Sequence, residues 1–100
     1  MDKVGIPVLY GARPLENGRL ALAFRVGKKH EVRVYDLWSD IKKRRDGGDL
    51  VPQFFDLAYF KTAYLYGQRV CWGDGHGWDM AADFLYDASE VVEEDFQCLR

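Results

Sequence analysis

Leu20-Ala21-Leu22-Ala23-Phe24-Arg25-Val26 is the stretch that decides the fold. Leu20, Leu22, Phe24 and Val26 recur at every second position with Ala21, Ala23 and Arg25 between them. That two-residue period puts the large apolar side chains on one face of a half-buried strand. Upstream, Glu16-Asn17-Gly18-Arg19 separates this strand from an extended stretch over Ile6 to Leu15, and Asn-Gly between apolar runs predicts a tight reversal. Downstream, Gly27-Lys28-Lys29 interrupts the alternation, which His30-Glu31-Val32-Arg33-Val34-Tyr35 resumes with Val32 and Val34 on the apolar face. A three-stranded antiparallel meander follows.

The remaining chain reads in shorter pieces. Asp36 or Ser39 is placed to cap a short helix carrying Leu37, Trp38 and Ile41, which the run Lys42 to Asp49 is expected to end. Pro52 suits a first helical position, and Phe54, Leu57 and Phe60 recur at helical spacing, so a short amphipathic helix before Thr62 should cover the sheet. Tyr64-Leu65-Tyr66, Gly67-Gln68 and Arg69-Val70-Cys71-Trp72 read as a second hairpin. The glycines of 73–77 break regular structure, Asp83 is placed to cap a helix with Phe84, Leu85 and Tyr86, and Glu90 to Asp95 reads as an acidic tail that frays. The expected fold class is α+β: one small domain over residues 1–100, about five mostly antiparallel strands and two or three short helices, with 90–100 a candidate acidic tail.

Composition agrees with a folded chain. Of the 100 residues, 48% are hydrophobic and 15% aromatic, enough apolar surface to offset chain entropy. No apolar run approaches the roughly 18 residues that cross a bilayer, and the first residues do not read as a signal peptide, so a cytoplasmic protein without membrane contact is expected. Cys71 and Cys98 read as free thiols, Cys71 in the core. The formal net charge of −2 excludes little, but its distribution is uneven. Residues 1–50 hold 11 lysines and arginines against 7 acidic residues, and residues 51–100 hold 3 against 9.

Three groups of side chains are candidates for function. Asp74, His76 and Asp79 are close enough in sequence to hold a divalent ion, although their spacing matches neither a calcium loop nor a zinc site. A tight glycine turn is the plainer reading. Lys42, Lys43, Arg44 and Arg45, with Arg33, Lys28 and Lys29, would contact phosphates if they converged on one face; otherwise they are a solvated charge run. Aromatic residues crowd the window from Phe54 to Trp78, and a domain this small cannot bury them all. Tyr59, Tyr64, Tyr66 and Trp78 are therefore candidate partner-binding residues, together with acidic Glu90, Glu93, Glu94 and Asp95. Cys71 or Ser89 beside a histidine lacks any supporting motif, so no catalytic residue, metal or cofactor is expected.

The order of these features resembles a family of short bacterial proteins known as domain of unknown function two-four-four-two. The matching pieces run from about Val8 to Ala88: Pro14-Leu15, then Leu20, Leu22 and Phe24, then Tyr35-Asp36-Leu37, Leu57 and Phe60, Val70-Cys71-Trp72, and Asp79 with Asp83-Phe84-Leu85-Tyr86. The basic stretch Lys42 to Asp49 and the residues after Ala88 depart from the pattern. The resemblance implies a small α+β fold and no catalytic residue, and its members are often encoded beside a second small protein, like a toxin and antitoxin pair. The expected function is thus a non-enzymatic regulatory protein that binds a protein partner, antitoxin-like or inhibitory, with a homodimer through an edge strand as a further expectation. A nucleic-acid-binding regulator using 42–45 and a small metal-dependent enzyme using Asp74, His76 and Asp79 are the alternatives.

Overall fold

The computed structural model describes residues 6–46, 57–73 and 79–100. Seven strands form two antiparallel sheets, accompanied by three α-helices among the described residues, an α+β arrangement as expected. In the first sheet β1 (Val8–Pro14), β2 (Arg19–Val26) and β3 (Lys29–Asp36) make the predicted meander, and β7 (Glu90–Val92) extends it in the order β1-β2-β3-β7. The second sheet consists of β4 (Tyr64–Tyr66), β5 (Arg69–Cys71) and β6 (Asp79–Ala81). Two strands more than expected are present because β6 and β7 have three residues each, too few to display a period of two.

The reversal before β2 is wider than a two-residue turn. A single 3-10 turn spans Glu16–Gly18, Asn17 and Gly18 have φ of 65° and 73°, and the Leu15 N–H donates to Arg19 O at 2.7 Å. A Cβ on Gly18 would stand 2.6 Å from Trp38 Cβ, so both conformation and contact require glycine there. Between β4 and β5 the connection is the predicted Gly67-Gln68 pair, with Gly67 at φ 60° as a type II′ turn demands. The Gln68 amide then ties this turn to the other sheet, accepting the Leu9 N–H and donating to Leu9 O, each at 2.9 Å. These bonds fall where the β1–β2 register shifts between Leu9 and Gly11.

Strand β2 is buried on both faces rather than one. Leu20, Leu22 and Phe24 enter the main core with Leu9, Tyr35, Leu37, Phe60, Val70, Trp72 and Leu85, which joins both sheets and the helices. On the opposite face Ala21 is fully buried beneath Leu15 and Leu99, with Val32, Val34, Val92 and Phe96 around them. Val32 and Val34 therefore lie on the alanine face, since they pair with Ala23 and Ala21. What covers that face is the expected fraying tail: Glu90–Val92 pairs with β3, and a 3-10 turn at Phe96–Cys98 carries the chain back across the sheet. Arg13 Nη2 donates to Phe96 O and, at 2.8 Å, to Leu99 O, while its guanidinium lies 5.4 Å from the centroid of the Phe96 ring.

Helix α1 (Leu37–Asp46) begins at Asp36, whose carboxylate accepts the Ser39 N–H at 3.2 Å and the Ser39 hydroxyl at 2.8 Å. The basic run continues this helix instead of ending it, because lysine and arginine are good helix formers and their charge suits a helix C-terminus. Helix α2 (Leu57–Phe60) delivers Phe60 to the core, and the Trp72 indole donates to its carbonyl at 3.0 Å; Pro52 and Phe54 lie outside the described residues. Helix α3 (Ala82–Ala88) starts one residue before Asp83, so Asp83 stands in the first turn rather than at the cap. No described helix is long and apolar enough to cross a membrane.

Candidate protein-interaction surface

Residues paired directly across antiparallel strands share a face, so register sorts the second sheet's side chains. Leu65, Val70 and Met80 pair in line and turn toward the core. Tyr64, Cys71 and Asp79 make one outward row, and Tyr66, Arg69 and Ala81 the other. The core position expected for Cys71 belongs to Val70 beside it, which leaves the Cys71 thiol half-buried on the outward side; Cys71 and Cys98 are both free. The sequence could not reveal this, because three-residue strands do not announce which parity faces inward.

Strand β4 is the last strand of its sheet, packed beside β1, and it carries neither charge nor proline. Tyr66 is 72% exposed and Tyr64 39%. Beside them Arg69 grips Asp79 with two bonds, Nε to Oδ2 at 3.1 Å and Nη2 to Oδ1 at 3.2 Å. That hydrogen bonding holds the Asp79 carboxyl below its ordinary value and the Arg69 guanidinium above its own. An exposed pair of this kind contributes little to stability; it fixes where the charges stand.

The other predicted partner residues are distributed differently. Tyr59 is half-buried against the main core, and Trp78 lies outside the described residues. Glu90, Glu93, Glu94 and Asp95 are all exposed along β7 and the bend that follows it. β7 closes one end of the first sheet, whereas β4 packs beside β1 at the other end. The tyrosine pair and the acidic group are therefore two separate surfaces. Glu90 and Glu94 line a groove of about 650 Å³ whose other walls are Asp36, Asp40 and Lys43 of the α1 region and Arg19, over apolar Val34, Val92 and Leu99.

The described basic side chains do not converge. Lys42 and Lys43 are exposed on α1, while the side chains of Arg44 and Arg45 are outside the described set. Lys28 and Lys29 stand at the opposite end of β3 from α1, and eight strand residues span about 26 Å. Arg33 is withdrawn altogether. Its guanidinium donates to Ser89 Oγ and Ser89 O at 2.8 Å and to Glu31 Oε1 at 2.9 Å, and it lies 4.1 Å from the centroid of the Tyr86 ring. Tyr86 donates its own hydroxyl to the same Glu31 oxygen at 3.1 Å, and burial, then this bond, push its phenol above the ordinary value. The cluster pins the end of α3 to β3.

Of the three candidate metal ligands, Asp74 and His76 lie outside the described residues. Both carboxylate oxygens of Asp79 are already engaged by Arg69, and among the described residues no three His, Cys, Asp or Glu side chains gather to hold an ion. His30 is exposed and shares a 2.9 Å hydrogen bond with the Tyr10 hydroxyl. Sequence reading missed Tyr10, Ile6, Phe84 and Val91 as exposed apolar side chains. Only Val91 had a signal, following Glu90 in a segment read as an acidic tail. No family model, curated protein or solved structure matches this chain.

Proposed function

We propose that this protein is a non-enzymatic regulatory module that works in the cytoplasm by binding a partner protein, in the manner of an antitoxin or inhibitor. The observation that carries the reading is Tyr66, a large aromatic side chain 72% exposed on the uncharged edge strand β4 with Tyr64 beside it. Tyrosine is enriched where interfaces concentrate binding energy, since it buries a large area at low entropic cost and keeps a polar tip. The main core is closed without either ring, so their place on the surface is not forced by packing. The sequence resemblance to a family whose members stand beside a second small protein agrees with a partner-dependent role.

Nucleic-acid binding through Lys42 and Lys43 has less support, because Arg33 is committed to Ser89 and Glu31 and the groove beside Lys43 is walled by carboxylates that repel phosphate. The test is capture of partners from the native host by the wild-type chain and by a Tyr64→Ser/Tyr66→Ser double variant of equal thermal stability. A partner retained by the first and lost by the second supports the reading. A partner held equally by both contradicts it.

A further inference from the structure

We infer that the open edge of β7 and the groove beside it receive an extended basic segment of a partner protein, which adds a strand to the first sheet. This rests on the protein-binding reading above and names a second contact surface with its own chemistry.

Three observations combine. First, β7 pairs with β3 on one side only, and among the described residues no strand pairs with its outer edge, so backbone N–H and C=O groups there are available to an incoming strand. Second, the groove of about 650 Å³ at this edge has an apolar floor of Val34, Val92 and Leu99, suited to cover the side chains of such a strand. Third, its charges are unbalanced. Asp36 and Asp40 are satisfied within the chain, by Ser39 and by the Tyr35 hydroxyl. Glu90 and Glu94, on the β7 side, take part in no hydrogen bond or ion pair with any described residue, and Lys43 and Arg19 are the groove's two cations against four carboxylates.

The register makes the partner's sequence specific. Glu90 and Val92 pair with Val34 and Val32 and so point to the groove side of the sheet, whereas Val91 pairs with Arg33 and points to the other. Glu94 lines the same groove two positions further on. Side chains on an added strand alternate in step, about 4.8 Å away. Opposite Glu90 the match is a cation and opposite Val92 an apolar residue, while Glu94, on the bend that follows the strand, adds its charge to the same groove for a second cation two residues beyond. The fitting segment thus carries lysine or arginine at i and i+4 with valine or isoleucine at i+2. This pattern is symmetrical, so it fits either strand direction.

The experiment uses the full chain and a capped peptide, Thr-Lys-Thr-Val-Thr-Lys-Thr, titrated while backbone amide resonances are followed. A control peptide of the same composition has its lysines adjacent, which places one of them on the wrong face. The expected result is saturable shifts concentrated at Glu90 to Glu94 and Val32 to Val34, about two- to fivefold weaker binding for Glu90→Gln or Glu94→Gln alone, about tenfold for both, and weaker binding of the control. Equal binding of the two peptides, shifts centred elsewhere, or no binding at millimolar concentration would overturn the assignment. So would a dimer of the protein alone, seen by sedimentation, that the double glutamine variant dissociates, since a second copy would then be the occupant. Because Tyr64 and Tyr66 take no part, failure here leaves the tyrosine surface standing, and failure of the tyrosine variant leaves this one to be judged by the peptide.

Discussion

The two faces of the first sheet are built to opposite plans. One face presents Leu9, Leu20, Leu22, Phe24 and Tyr35 to a thick layer made of the second sheet, α3 and Phe60. The other presents Gly11, Ala21 and Ala23 to a single crossing chain, whose Phe96 ring would meet a Cβ on Gly11 at 3.4 Å and whose Leu99 is buried against Ala21. A crossing backbone comes close only where side chains are small, whereas a separate layer needs large ones to fill the gap. The leucine and alanine alternation of β2 therefore records two different covers, not a covered face and a wet one.

This difference is open to mutation. Phe24→Ala should cost about 3–5 kcal/mol by denaturant unfolding, since it removes a fully buried ring from the thick layer. Leu99→Ala should cost roughly 2 kcal/mol, at the low end for a buried leucine, because a single crossing segment can settle into the space left. Equal losses at the two positions would break the comparison. Ala23→Leu sharpens it: the larger side chain displaces the Phe96 crossing at about 1–3 kcal/mol, and amide exchange should rise in residues 96–100 while the main core stays protected. The smallest effect concerns pH. The Tyr86 phenol, raised by burial, keeps its proton longer in the folded chain than in the unfolded one, so stability should fall as pH rises from about 10, and Tyr86→Phe should flatten that part of the profile.

Much of this was legible in the sequence where elements are long. The eight residues each of β2 and β3 display their period clearly, and Gly67-Gln68 announces its turn. The second cover was not legible, because Glu90 to Asp95 looks like a solvated tail by composition, and only contact with Val32, Val34 and Arg13 reveals its place. Arg33 gave the same difficulty: its type suggests phosphate contact, and its actual partner, Ser89, lies 56 residues away. On the candidate surface, Tyr64 and Tyr66 were found as surplus aromatics, but the outward parity of β4 needed the register with Val70 and Met80 to be seen.

The proposed protein contact of this chain rests on Tyr64 and Tyr66 of β4. Its most direct measurement is the affinity of a captured partner for the wild-type protein and for the Tyr64→Ser/Tyr66→Ser variant, by calorimetry with both chains shown to be equally folded. The expected result is at least a tenfold loss, about 1.4 kcal/mol or more, as truncation of interface tyrosines produces. An unchanged dissociation constant would contradict it.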